Sequence, residues 1–143
     1  MLKDVLARGV PFRFEAGGYS MTPFIRDSDV VTISPLHGRR ARFGEVVAYA
    51  GPTEGLIVHR VVARRPGFYE IRADNSYAAD GVVPAARVFG AVSRVERRGH
   101  RVRLGLGPER ALVGVLVRLG LLQPLVSALR AVRAPIAGQR ALR

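Results

Sequence analysis

The chain has 143 residues, of which 48% are hydrophobic, enough for one domain with a real core and too many for a disordered chain. It contains no cysteine, which excludes disulfides, a thiol nucleophile and a thiolate metal site. The formal net charge of +12 favours an anionic partner such as nucleic acid, lipid headgroups or an acidic peptide, unless it reflects only a bias towards arginine codons.

The first half of the chain predicts a short helix followed by strands. Residues 1–8 favour one or two helical turns, which Gly9 and Pro11 end. Runs rich in β-branched and aromatic residues then predict four strands, at residues 12–14, 30–34, 46–50 and 56–63. Because side chains alternate across a strand, four residues of the last strand are expected on one face: Ile57, His59, Val61 and Ala63.

The second half continues with short strands up to residue 104. A hairpin turn at residues 65–67 leads into a return strand, and polar turns follow around Asn75 and at Asp80-Gly81. The remaining strands are predicted at residues 68–72, 82–83, 88–95 and 101–104, the last two paired with each other. Short strands at this spacing predict a mainly β domain over residues 1–104, an antiparallel folded sheet or barrel.

Residues 105–143 predict a helical, basic appendage. Pro108-Glu109 suits a helix start, and an almost wholly apolar run follows, interrupted by Arg118. Pro124 is expected to break or kink the helix, and the last ten residues are expected to form a loose tail.

The apolar run from 111 to 129 is long enough to cross a bilayer. Arg118 at the midplane would cost roughly 2.5–3.5 kcal/mol, and Gln123-Pro124 adds to that cost. Two short amphipathic helices fit better, either packed on a protein surface or lying on a membrane through residues 108–133. Packing, surface contact and a true span therefore remain three open alternatives.

A serine lies on the turn at residues 17–23, whose sequence is GGYSMTP. Glycines allow the backbone to turn sharply and Pro23 stiffens its exit, so the hydroxyl of Ser20 is expected to be exposed and fixed. A nucleophilic hydroxyl needs a base. Lys3 is the only lysine, so 22 of the 23 basic residues are arginines, which cannot lose a proton. The base must therefore be a histidine, a carboxylate or Lys3.

Ser20, His59 and Asp80 occur in the order serine, histidine, aspartate, and their flanking residues add to the signal. Five blocks follow one another along the chain: GYSMTP at 18–23, DSDVV at 27–31, FGEVV at 43–47, VHRVV at 58–62 and ADN at 73–75 ahead of Asp80.

These blocks resemble the signal peptidase I family over residues 12–95, in particular its endoplasmic-reticulum, archaeal and sporulation-associated branch. The resemblance implies a signal-peptidase-like β fold and a serine endopeptidase that cleaves after small residues of an extended peptide. The larger bacterial branch and the self-cleaving LexA-type repressors use a lysine where this chain has His59. Because Lys3 lies outside the motif, the sequence favours the serine–histidine branch.

The resemblance also implies a role for each matching residue. Ser20 would be the nucleophile and a backbone N–H donor to the oxyanion, and His59 the general base. Asp80 would orient His59, with Asp74 as the alternative carboxylate or a supporting residue. Three residues around the nucleophile would contact the substrate: Gly18, Tyr19 and Met21. Met21 also suits packing beneath the serine.

The remaining polar residues predict less. No two histidines have metal-ligand spacing, so neither a metal nor another cofactor is expected. His37 and His100 are expected in solvated loops, and the basic run at 39–42 suits a solvated loop better than a phosphate site. Aromatic residues are only 7% of the chain, too few for the stacking platform of single-strand binders, so nucleic-acid binding is not favoured.

The chain also departs from the family pattern. Ala73 replaces a glycine, Glu45 replaces an aspartate, and no N-terminal anchor helix is predicted. We therefore expect a location in the cytoplasm or at the membrane periphery, and a protein or peptide precursor as the partner. A catalytically inactive relative that binds an extended peptide by strand addition is the alternative.

Overall fold

An antiparallel sheet makes up most of the structure, which is a computed structural model describing residues 2–51, 55–76 and 81–141. Its described strands are β1 (Phe12–Glu15), β2 (Val30–Ser34), β3 (Val46–Ala50), β4 (Leu56–Arg65), β5 (Phe68–Arg72), β6 (Gly81–Pro84), β7 (Val88–Arg97) and β8 (His100–Val102). They follow the order β1-β2-β7-β3-β4-β5-β6, and β8 pairs with β7. This confirms the mainly β, antiparallel fold that the sequence predicts.

Three α-helices flank this sheet in the described chain: α1 (Leu2–Ala7), α2 (Arg110–Arg118) and α3 (Leu122–Ala141). The C-terminal segment is therefore helical, as predicted. Helix α2 and the first part of α3 are bent by 105° relative to each other. Within the described residues no single helix has the length and hydropathy to cross a membrane, although this bent pair meets both criteria when taken together.

Two details of the predicted C-terminal segment are wrong. The helix breaks at residues 119–121, and Pro124 lies in the first turn of α3, where a missing N–H costs no helical hydrogen bond. Of the predicted loose tail, residues 134–141 instead belong to α3, which continues to Ala141. Its alanine, arginine and glutamine residues have high helix propensity, against the low propensity of Pro135 and Gly138 in the same stretch.

A bulge in β4 corrects the predicted alternation of side chains. Val61 pairs with Ile71 and Ala63 pairs with Glu70, so Val62 is an extra residue in β4. Residues that pair directly share a face of the sheet, and one inserted residue reverses the alternation beyond it. Ala63 therefore lies on the face opposite to Val61, and only the part of the prediction up to Val61 is correct.

Helix α2 is fixed to the sheet by an apolar cluster and by one close backbone approach. Three residues of α2 and α3 pack with Phe24 and Val62 in this cluster: Val113, Val117 and Leu122. Gly44, at the turn before β3, has a φ of +82°, and a Cβ atom there would collide with the carbonyl of Arg110. A glycine at this position therefore lets the start of α2 approach the sheet.

Asp29 joins the turn before β2 to the far end of β7. Its carboxylate accepts hydrogen bonds from the Arg97 guanidinium at 2.9 and 2.8 Å and from the Arg26 backbone N–H at 2.8 Å. Burial by itself raises the pKa of Asp29, but the hydrogen bonds from Arg97 and Arg26 and the charges of these arginines outweigh it, so the pKa lies below its ordinary value.

Because of this ion pair, we expect the folded protein to lose stability in acid. A carboxyl whose pKa is lower in the folded state stabilises fully above its unfolded pKa of about 3.9, and this contribution is lost as the pH falls through the folded value. The difference in unfolding free energy between the native chain and Asp29→Asn should therefore be largest above pH ~4 and shrink below it. Urea unfolding between pH 3 and 6 measures this difference, and a difference that stays constant with pH would contradict the assignment.

Candidate active site

The Ser20 turn follows β1 and is fixed by its own hydrogen bonds. Gly18 has a φ of +87°, a conformation that favours glycine, and its N–H donates to Asp27 Oδ1 at 2.8 Å. The Thr22 hydroxyl donates to the Tyr19 carbonyl at 2.6 Å. Ser20 is exposed at the top of this turn. None of the described hydrogen bonds uses its backbone N–H, which is the donor that an oxyanion would need.

His59 reaches the serine from β4. It is half-buried, pairs with Val47 of β3, and its ring lies edge-on to Tyr49 with 6.4 Å between the centroids. His59 Nε2 lies 3.3 Å from Ser20 Oγ. This is within hydrogen-bonding distance and at its long end, as is common in enzymes without substrate. With Nε2 unprotonated, the Ser20 hydroxyl donates to it, which is the arrangement that activates a nucleophile.

Asn75 supports the serine turn, a role that the sequence did not assign to it. Its backbone N–H donates to the Ser20 carbonyl at 2.8 Å, and its side-chain Nδ2 donates to the Tyr19 carbonyl at 3.1 Å. The neighbouring Asp74 N–H contacts the sulfur of Met21 at 3.4 Å. Met21, which directly follows Ser20 in the sequence, is buried. The sequence block ADN at residues 73–75 pointed to this segment, but only the fold shows that Asn75 donates hydrogen bonds to the backbone of the serine turn.

Asp74 and Arg60 form a fully buried ion pair beside the site. Arg60 Nε donates to Asp74 Oδ1 at 2.8 Å and Nη2 donates to Oδ2 at 2.7 Å, while both side chains are 0% exposed. Arg60 Nη1 also donates to the carbonyls of Gly44 and Gly105, each at 2.8 Å. Burial raises the pKa of Asp74 above its ordinary value, although the hydrogen bonds and charge of Arg60, and then the charge of His59, act to lower it. Because both Asp74 oxygens accept from a guanidinium, Asp74 binds as a carboxylate.

The two candidate carboxylates therefore differ in what the structure places around them. Asp74 is held by Arg60, on the strand position next to His59. Asp80 lies outside the described residues, so its role as the residue that orients His59 stays a prediction.

A pocket of about 260 Å³ opens beside the dyad. Its walls are mostly apolar and come from the β1 end, the serine turn, β2 and the start of β4: Phe14, Ala16, Gly17, Gly18, Ser20, Met21, Ile25, Arg26, Val31, Leu56, Ile57, Val58 and His59. Gly18 and Met21 thus line the pocket. Tyr19 is not among its lining residues, and its side chain is 68% exposed.

Within the described residues, two strand edges without a pairing strand flank this pocket. Among the described strands, β1 pairs with β2 alone, and the pairing of β4 with β5 begins at Arg60. On the side away from β3, the backbone of residues 56–58 thus has no strand partner within the described parts of the chain. Such edges accept an extended peptide through main-chain hydrogen bonds.

Two arginines of the 39–42 run, Arg39 and Arg40, contact the fold itself through their side chains. Arg39 forms two hydrogen bonds of 2.9 Å with the Glu45 carboxylate, and Arg40 lies 5.1 Å above the Tyr69 ring. His37 and His100 are both exposed. In residues 2–51, 55–76 and 81–141, no group of three or more histidine or acidic side chains is placed to hold a metal ion.

Comparison with known proteins adds no relative to this picture. No family model, no curated protein and no solved structure matches the chain, so the resemblance to signal peptidases depends on the sequence blocks named above.

Proposed function

We propose that the chain is a serine endopeptidase similar to signal peptidases, which cleaves an extended protein or peptide precursor with Ser20 and His59. The observation that carries the proposal is the 3.3 Å separation between Ser20 Oγ and His59 Nε2. These residues are 39 positions apart in the sequence and come from a turn and a strand. A hydroxyl and an imidazole in hydrogen-bonding contact beside an open pocket are the minimum that a serine hydrolase needs.

The reaction follows from this geometry in two halves. Ser20 Oγ attacks the peptide carbonyl while His59 takes the hydroxyl proton, which gives a tetrahedral intermediate whose oxyanion the Ser20 N–H can bind. His59 then returns the proton to the leaving amine, the C–N bond breaks, and an acyl-enzyme remains. Water, deprotonated by His59, attacks the acyl carbonyl, and the proton passes back to Ser20 as the acid product leaves.

The substrate is best accommodated as an added strand. Its main chain would pair with the free edges of β1 and of residues 56–58, with one side chain directed into the apolar pocket. A second candidate function, binding without cleavage, would use the same two edges. Chemistry at Ser20 separates the two functions.

Labelling by a fluorophosphonate tests the proposal. An activated serine forms a covalent adduct with this probe, so intact-mass and peptide mass spectrometry should find the adduct on Ser20. Ser20→Ala should abolish labelling, whereas Ser127→Ala, which changes an exposed serine on α3, should leave it unchanged. A folded protein that takes up no label, cleaves no member of a peptide library and still retains peptides would overturn the peptidase and establish the binding function.

A further inference from the structure

The helices α2 and α3 and the break between them expose a row of aliphatic side chains that the proposed peptidase chemistry does not use. These side chains are between 42% and 71% exposed: Leu112, Val115, Leu119, Leu121, Leu125, Leu129 and Val132. Within α2, Leu112 and Val115 are three residues apart and share one face; within α3, Leu125, Leu129 and Val132 are three or four residues apart and share one face. Leu119 and Leu121 lie in the break between the two helices. We call this set the aliphatic row.

The aliphatic row is not needed to attach the helices to the sheet. The opposite side of α2 carries the buried Val113 and Val117, which pack with Phe24 and Val62. Helix α3 contributes Leu122 to the same cluster. Each helix therefore buries one apolar side in the fold and presents a second apolar side to the surroundings. An exposed patch of this kind marks a surface that binds something else.

The charge around the row decides between possible partners. Residues 110–133 include four arginines and no acidic residue: Arg110, Arg118, Arg130 and Arg133. Arg130 and Arg133 are exposed. Packing the row of one copy on that of another would oppose these arginines on two chains that each carry a net charge of +12. An anionic surface with an apolar interior removes this repulsion and covers the leucines.

We propose that α2 and α3 bind the surface of an anionic lipid bilayer, with the aliphatic row inserted at the headgroup boundary. Basic residues beside exposed leucines are the pattern of helices that lie in this interface. The 105° bend between the helices opposes a straight crossing and favours this surface position. The proposal would place the protein at the membrane periphery, and it does not depend on catalysis at Ser20.

Vesicle flotation of the full chain tests this surface. Phosphatidylcholine vesicles with 30% phosphatidylglycerol should carry the protein upwards, and vesicles of phosphatidylcholine alone should not. The triple variant Leu119→Ser/Leu125→Ser/Leu129→Ser should bind the anionic vesicles at least tenfold more weakly. The matched control Val82→Ser/Leu104→Ser changes two exposed aliphatic residues of the sheet domain and should bind like the native chain.

The arginines supply a second arm of the test. Near an anionic surface each arginine strengthens binding about fivefold, so Arg130→Gln/Arg133→Gln should weaken flotation by roughly 25-fold and 0.5 M salt should reduce it further. Arg118 is left intact because it donates to the Val62 carbonyl at 2.9 Å and supports the fold. Equal flotation of the native chain and the leucine variant would overturn the proposal. So would equal binding to neutral and anionic vesicles, or a leucine variant that dissociates a native oligomer without losing flotation.

Discussion

Replacing His59 with alanine is expected to slow the reaction of Ser20 with a fluorophosphonate, and any peptide cleavage, by about 10²–10⁴-fold. In the proposed mechanism, the His59 nitrogen 3.3 Å from Ser20 Oγ is the base that takes the hydroxyl proton. Without it, the proton must pass to water while the hydroxyl attacks. The second-order rate constant for labelling, measured by mass spectrometry over time, gives the size of this effect without requiring knowledge of the natural substrate.

His100→Ala is the matched control for this experiment. His100 is exposed on β8, so its removal changes the histidine content without changing the dyad. Thermal unfolding of both variants should show that they remain folded. A His59→Ala chain that labels at the native rate would show that another group activates Ser20 and would end the serine–histidine mechanism.

Asp74→Ala is expected to lower the free energy of unfolding by about 3–5 kcal/mol, a large part of the 5–15 kcal/mol typical of a domain. The substitution would leave the Arg60 guanidinium, 0% exposed, with no carboxylate to neutralise it. The double variant Arg60→Met/Asp74→Leu removes both charges and should recover part of the loss. Urea unfolding curves provide the comparison.

The exposed pair between Arg13 and Glu96 is the control for this loss. The Arg13 side chain is 61% exposed and its Nη2 lies 3.4 Å from Glu96 Oε2, so Arg13→Gln should change the unfolding free energy by less than about 1 kcal/mol.

The Asp74 experiment also separates two possible roles of Asp74. An Asp74→Ala chain that keeps its stability but loses Ser20 labelling would make Asp74 a catalytic partner of His59 rather than the partner of Arg60.

The strands were predictable because their signals are local. β-branched runs such as residues 46–50 and the turn around Pro66-Gly67 specify a strand or hairpin without reference to the rest of the chain. The bulge at Val62 was not predictable, since it depends on the register between β4 and β5. The path of α3 through Pro124 depended likewise on where the preceding turn ended.

In the candidate site, too, the local features were predictable from the sequence, whereas the contacts between distant segments were not. The serine turn and the histidine strand stood out through their flanking residues, and the structure brings Ser20 and His59 into contact. The complete burial of the Arg60 side chain could not be predicted from the pattern of residues in its strand. The carbonyl groups that accept from it, at Gly44 and Gly105, lie 16 and 45 residues away and meet it only in the fold.

The Asn75 contacts have a consequence for any attempt to move this dyad into another scaffold. Asn75 holds the backbone of Ser20, and its neighbour Asp74 is clamped to Arg60, which adjoins His59 on β4. Ser20 and His59 are thus positioned by one shared set of contacts, although they come from different segments of the chain. If the serine and the histidine were grafted onto another protein, we expect them to keep their 3.3 Å spacing only if the Asp74–Asn75 loop and Arg60 were grafted as well. The smallest portable unit of this site is therefore a turn, a strand and a loop, rather than two side chains.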